Sequence, residues 1–185
     1  MNQHATPPPL PVQTRITIMQ GQARVSAGPR VEFTTVLGSC VATCLYDPEI
    51  KLGGMNHFLL AQPAVASHLS EADAHYGVYL MEVLINEMLA HGAAKQRLRA
   101  HLYGGANLHA GMTRIGTMNA DFARQFLRAE GIPLVREDLG GTSARRVDFR
   151  PALGQVRCRV VEAALAPEIP SAPRPQPVCG DVELF

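Results

Sequence analysis

The sequence has no apolar run long enough to cross a bilayer as a helix, which takes about 20 residues. Its start, MNQHATPPPLPVQ, lacks the basic and apolar segments of a secretory signal. An excess of charge is missing as well: 17 Lys and Arg stand against 16 Asp and Glu, for a formal charge of +1. That balance argues against a nucleic-acid binder, which needs a basic surface to neutralise phosphates. Without blocks of like charge there is no polybasic membrane anchor either. Cysteine is scarce: Cys40, Cys44, Cys158 and Cys179 are too few in 185 residues for a disulfide scaffold, so a reduced, cytoplasmic setting is expected. No G-x-G-x-x-G or Walker pattern is present, which leaves nucleotide binding without support.

What is present is a core framed by proline. Residues 1–13 are Pro-rich and polar and read as a disordered leader. Pro167, Pro170, Pro173, Pro175 and Pro177 make 166–178 a semi-extended linker, after which residues 179–185 form an apolar-ended tail, a candidate docking motif. The globular domain is expected over 14–165, an ordinary size for one domain. Strand-like alternation or apolar runs cover 14–19, 31–36, 41–46, 55–60, 98–103 and 155–161. Two segments carry helical period. Tyr76, Leu80, Val83, Leu84 and Met88 form one stripe, with Gly92 as a stop. Phe122, Phe126 and Leu127 form another, with Asn119 as N-cap and Gly131 as stop. Hairpin-forming strands with two interspersed helices predict an α+β or layered α/β domain rather than a doubly wound sheet.

The chemistry concentrates in one block, from Thr34 to Leu60, in which the apolar strands 41–46 and 55–60 flank a segment of turn formers and read as a hairpin. A tip at Pro48-Glu49 puts Cys40 directly across from His57. Pro48 suits a primed two-residue turn poorly, and a longer loop moves the pair to a diagonal. Either register leaves their Cβ atoms about 4.5–8 Å apart on one face. A thiol with an ordinary pKa of about 8.5 is mostly protonated at neutral pH. A neighbouring imidazole is expected to lower that value and hold an ion pair, which frees a thiolate for acyl attack. Gly38-Ser39 supplies a backbone free to turn amides toward an oxyanion. Thr34, Thr35 and Asn56 are the nearby groups able to orient the imidazole.

Each of these residues also has an ordinary structural reading. A cysteine opening an apolar strand is commonly a small buried hydrophobe, and a histidine on a strand is commonly structural. Cys44, deeper on the same face, reads as core. A metal site from Cys40, Cys44 and His57 lacks a fourth ligand and zinc spacing, so no metal or other cofactor is expected. His4, His68, His75, His91, His101 and His109 show no pairing pattern and are expected at the surface or in caps.

The run Leu37-Gly38-Ser39-Cys40, then Leu45-Tyr46-Asp47-Pro48, then Gly53-Gly54-Met55-Asn56-His57 resembles the CheD family of chemoreceptor glutamine deamidases. So do Tyr76-Gly77 with Met81-Glu82 and Leu84 to Met88, Gly104-Gly105-Ala106-Asn107, and Ile115-Gly116 with Asn119. Asp138-Leu139-Gly140-Gly141 with Arg145-Arg146 and Phe149 completes an ordered set over about residues 14–162. The resemblance implies a three-layer α/β sandwich related to deamidating cytotoxic necrotising toxins. It implies a Cys–His–Thr triad in which Cys40 is nucleophile, His57 base and Thr34 the orienting threonine, with Thr35 adjoining. It implies receptor glutamines converted to glutamate and ammonia, with receptor methyl esters hydrolysed by some members. The chemoreceptor cytoplasmic domain and a CheC-type phosphatase are the implied partners. Gly104, Gly105 and Asn107 are candidates to line the substrate groove, or else form a tight structural turn. The rivals are a non-catalytic module docking on receptors or a phosphatase, and a general cysteine peptidase, for which no signature appears.

Overall fold

A computed structural model describes residues 11–60, 71–108 and 115–161. Most of the expected leader, all of the expected linker and tail, Cys179, His4, His68 and His109 lie outside the described residues, as does the side chain of His75. The strands are β1 (Thr14–Thr17), β2 (Gln22–Ser26), β3 (Val31–Leu37), β4 (Val41–Asp47), β5 (Leu52–His57), β6 (Arg99–Gly104), β7 (Leu134–Leu139), β8 (Arg145–Arg150) and β9 (Gln155–Val160). The helices are α1 (Glu71–Ala90) and α2 (Ile115–Ala129).

The strands divide between two sheets, one ordered β1-β3-β8-β9 and the other β2-β5-β4-β6-β7. β4 and β5 are buried along nearly their whole length because the second sheet is covered on both faces. On one face Val41, Leu45, Leu52 and Phe58 pack against Leu80, Leu84 and Met88 of α1 and Ala123 and Leu127 of α2. On the other, Ala42, Cys44, Met55 and Tyr103 meet Phe33, Leu37, Val147 and Phe149 of the first sheet. The layers are thus helices, five-stranded sheet and four-stranded sheet, the three-layer sandwich that the family resemblance implied, with the two main helices that the sequence pattern predicted.

Glycine stops act where expected. Gly92 after α1 has φ +94° and Gly131 after α2 has φ +68°, the left-handed region that ends helices. Asn119 departs from expectation. α2 begins at Ile115, so Asn119 lies inside the helix and is fully buried rather than capping it. The β4–β5 register pairs Cys44 with Met55 and Asp47 with Leu52, which leaves residues 48–51 as a four-residue loop. Asp47 Oδ1 accepts the Glu49 N–H at 3.0 Å, and Lys51 takes φ +54° to re-enter the strand. The ring of Pro48 excludes the tighter primed turn, so the longer of the two loop readings holds.

Candidate active site

The β4–β5 pairing continues past the strands through reciprocal bonds between Val41 and Phe58, each 2.9 Å. Carried one residue further, that register sets Cys40 opposite Leu59 and His57 on the adjacent diagonal, on the face turned toward the other sheet. Thr35, on the inward face of β3 with Phe33 and Leu37, reaches the same space. One end of the gap between the sheets therefore gathers a thiol, an imidazole and a hydroxyl.

His57 is 7% exposed. Its Nδ1 lies 2.9 Å from Thr35 Oγ1 and 3.2 Å from the Ile18 carbonyl oxygen, while Thr35 Oγ1 donates to that same carbonyl at 2.9 Å. A carbonyl only accepts, so the short contact to Ile18 assigns the proton to Nδ1. Thr35, having spent its own proton on Ile18, then accepts from Nδ1–H. Nε2 is left with a bare lone pair, and it is buried without a hydrogen-bond partner. That is the tautomer a general base requires.

Thr34, the threonine that the family resemblance points to, faces the opposite way. Its Oγ1 donates to Asp148 Oδ1 across the sheet at 2.7 Å. Asp148 also accepts from Arg146 at 3.2 Å and from Arg159 at 2.8 Å. Burial opposes its ionisation, but the Thr34 hydroxyl and the Arg146 and Arg159 guanidiniums outweigh that and hold the carboxyl below its ordinary range. Thr34 thus ties β3 to β8, whereas Thr35 holds the imidazole. Asn56 does not orient His57 either: it accepts the Thr43 N–H at 2.9 Å and donates to the Leu80 carbonyl at 3.2 Å, which joins β5 to β4 and α1.

Cys40 is half-buried, and its thiol donates to Gln20 Oε1 at 3.6 Å. Burial pushes the thiol up to about 11, partly offset by its own backbone amide. Burial likewise lowers His57 below the ordinary histidine range, against the opposing bond to Ile18. Both shifts favour the neutral thiol and neutral imidazole over the ion pair that the sequence suggested. Desolvation of both groups decides the difference.

The nucleophile turn is pinned through its carbonyls. Gly38 accepts the Ala106 N–H at 2.8 Å, Ser39 accepts Asn119 Nδ2 at 2.8 Å, and Cys40 accepts the Gly105 N–H at 2.7 Å. In a trans peptide the N–H points opposite its carbonyl, so the amides of Ser39 and Cys40 project away from that support. Gly104 and Gly105, candidates for a substrate groove, form the support itself. Both have positive φ, +107° and +65°, and a Cβ on Gly104 would strike the Cys40 carbonyl. Asn107 donates from Nδ2 to Thr117 Oγ1 at 3.0 Å and from its amide to Gly141 at 2.9 Å. Behind this loop the buried Arg145 bonds Gly104 O at 2.9 Å, Gly140 O at 2.6 Å and Asp138 Oδ1 at 3.0 Å.

Two site-supporting residues escaped sequence reasoning in these roles. Asn119 joins the Leu60 N–H, at 2.8 Å, to the Ser39 carbonyl, and Ile18 contributes only its backbone. The sole available signal for Asn119 was a polar residue on the apolar side of a helix. Of the remaining expected residues, Cys44 is core, with a thiol raised well above its ordinary value by burial. His101 is buried and stacked on Tyr46 at 5.3 Å rather than placed at the surface. His91, by contrast, closes α1 with Nδ1 2.8 Å from the Glu87 carbonyl. A cleft of about 510 Å³ between α2 and β7, lined by Arg124, Leu127, Ile132 and Leu134, includes none of these catalytic candidates.

A half-buried thiol at a strand-to-strand turn, one diagonal across the sheet from an imidazole whose Nδ1 is held by a hydroxyl and whose Nε2 makes no hydrogen bond, has the residue types and placement of thiol acyl-transfer catalysts. The family model described as CheD chemotactic sensory transduction matches residues 59–160. A probable chemoreceptor glutamine deamidase CheD from Zymomonas mobilis is 61% identical over 148 residues, 80% of this chain and 81% of that one. One from Caulobacter vibrioides is 49% identical over 176 residues, 92% and 93% of the two chains. Among solved structures, a Bacillus licheniformis hypothetical protein, YfiH, aligns at TM-score 0.46 and 15% identity over 65% of this chain and 51% of its own. The chain belongs to the CheD family. The family model's match begins at residue 59, so Cys40, His57 and Thr35 lie outside it.

Proposed function

We propose that this chain hydrolyses glutamine side chains of chemoreceptors to glutamate and ammonia, with Cys40 as nucleophile, His57 as base and Thr35 as the residue that positions the base. The observation that carries the reading is the pair of short contacts from His57 Nδ1 to Thr35 Oγ1 and the Ile18 carbonyl, which favour a proton on Nδ1 and leave Nε2 without a partner on the face shared with Cys40. The receptor as substrate is supported by the names of the relatives, which read chemoreceptor glutamine deamidase.

The steps follow from the neutral pair. His57 Nε2 takes the Cys40 proton as sulfur attacks the carboxamide carbon, so thiolate need not accumulate at rest. The amides of Ser39 and Cys40 receive the oxyanion, held in aim by Ala106, Asn119 and Gly105 on the reverse side. The imidazolium then protonates the departing nitrogen, which leaves as ammonia. Water, deprotonated by the same Nε2, hydrolyses the thioester and returns the proton to sulfur. The same steps accept a methyl ester, so receptor methylesterase activity belongs to this reading. No step calls on a metal or organic cofactor.

The exposed Met19, next to Gln20, and Leu108, packed against Gly38, give the mouth an apolar rim suited to a receptor helix. The cytoplasmic domain of the receptor is the partner, with a CheC-type phosphatase as a second and the cytoplasm as the place of action. Among the described residues no helix is long and apolar enough to cross a membrane. The test is ammonia release from a purified receptor cytoplasmic domain. Release by the wild type and its loss in Cys40→Ala and His57→Ala are expected. Receptor binding without release would leave a docking module with an idle site and overturn the proposal.

A further inference from the structure

Gln20 has no part in the proposed mechanism, yet its carboxamide oxygen lies 3.6 Å from the Cys40 sulfur and accepts a hydrogen bond from the thiol. The turn that carries it is fastened to the site. Gly21 donates to the carbonyl of His57 at 2.8 Å, Ile18 supplies the carbonyl that holds His57 and Thr35, and Gln22 N–H returns to Met19 O at 3.0 Å. A primary carboxamide on a glutamine side chain is the group this site is proposed to open, and here backbone bonds fasten the turn that carries one while its oxygen contacts the nucleophile. We propose that Gln20 is a modification site, a glutamine that Cys40 deamidates within its own chain. The proposal rests on the deamidase reading above and goes beyond it.

The reaction balances as ordinary hydrolysis. Cys40 sulfur bonds to the side-chain carbonyl carbon of Gln20 while His57 Nε2 takes the thiol proton. The C–N bond breaks, and the nitrogen leaves as ammonia with that proton. Water then cleaves the thioester, restoring the thiol and leaving glutamate at position 20. Nothing is oxidised or reduced. The product carboxylate would stand beside the sulfur and disfavour thiolate formation, so the modification would damp the enzyme that makes it.

Selectivity is built into the same turn. Gln22, two residues on, spends its Oε1 on the Met19 N–H at 3.1 Å and does not contact the thiol. The tryptic peptide 16–24, ITIMQGQAR, contains both glutamines and no others, so Gln22 serves as the internal control. Because Gly21 follows Gln20 and offers little steric protection against spontaneous deamidation, the comparison with Cys40→Ala is essential.

The experiment incubates full-length wild type and Cys40→Ala in heavy-oxygen water and sequences that peptide by mass spectrometry, with a receptor domain in a parallel tube. We expect heavy oxygen to enter position 20 much faster in the wild type than in Cys40→Ala, at a fractional rate independent of protein concentration, with Gln22 intact in both proteins. Equal conversion of Gln20 in the two proteins would overturn the proposal. So would an unmodified Gln20 in a protein that deamidates receptor, which leaves the deamidase reading standing. Failure of both Gln20 and receptor to convert would overturn that reading as well.

Discussion

Burial shifts both Cys40 and His57 toward their neutral forms, and the consequence should show in the pH dependence of activity. The base must be unprotonated, and burial lowers its pKa, so the acid limb of kcat/KM is expected below the ordinary histidine value of about 6.5. The thiol reaches about 11, so activity should stay level through neutral pH and change again only near there. A profile that rises through pH 8 to 9 would indicate an ordinary exposed thiol instead. The neighbouring threonines separate by role. Thr35→Val is expected to lower kcat about 10- to 100-fold, a fraction of the general-base contribution, because Ile18 still holds Nδ1–H. Thr34→Val should leave kcat near wild type and cost about 1 kcal/mol of stability for its lost bond to Asp148. Kinetics and thermal unfolding of the two variants decide the matter, and the opposite pattern would restore Thr34 to the triad. The choice was partly readable beforehand. Phe33 and Leu37 mark the inward face of β3, and Thr35 shares their parity.

At the scale of elements, α2 acts on the site through one side chain. Asn119 is the bridge from the helix to the nucleophile turn and to Leu60. Asn119→Ala should cost about 2–4 kcal/mol, one buried and one part-buried bond being lost, and should lower kcat more than it raises KM as the turn loosens. Equal kcat in a folded variant would reduce Asn119 to a packing role. The sheet carries a second prediction. Asp148 has a lowered folded pKa, so it binds protons less readily folded than unfolded. Its stabilisation is present above the ordinary carboxylate range and fades as pH falls through it. Asp148→Asn should lose about 1–2 kcal/mol at neutral pH and show a flatter acid decline in thermal midpoint. Most of the central strands and both helices were legible in the sequence because apolar periodicity marks buried faces. β2, β7 and β8 were missed as strands, β2 being a five-residue edge strand with a single buried residue. β7 is an edge strand with four exposed residues in its middle, and β8 alternates arginine and aspartate with its apolar residues. The helical position of Asn119 was misjudged because a capping residue and a buried polar bridge look alike in sequence.

The whole molecule is a frame that brings distant segments to one end of the inter-sheet gap. The site and its supports draw on residues from Ile18 in the β1–β2 turn to Arg145 at the start of β8. The hairpin was readable locally, since its register depends on one loop. The convergence of 104–107, 138–141 and Arg145 behind Cys40 was not, because no local pattern reports contacts across a hundred residues. A chain ending at Leu165 should therefore deamidate receptor as the full chain does, if residues 166–185 serve docking elsewhere or nothing at all. A large drop in kcat, rather than in affinity, would show that those residues enter the site.

The central claim is tested most directly by peptide mass spectrometry of a receptor cytoplasmic domain incubated with wild type, Cys40→Ala and Thr35→Val. We expect receptor glutamines to become glutamate with the wild type, to convert slowly with Thr35→Val, and to stay unchanged with Cys40→Ala. Conversion by Cys40→Ala at the wild-type rate would contradict the account.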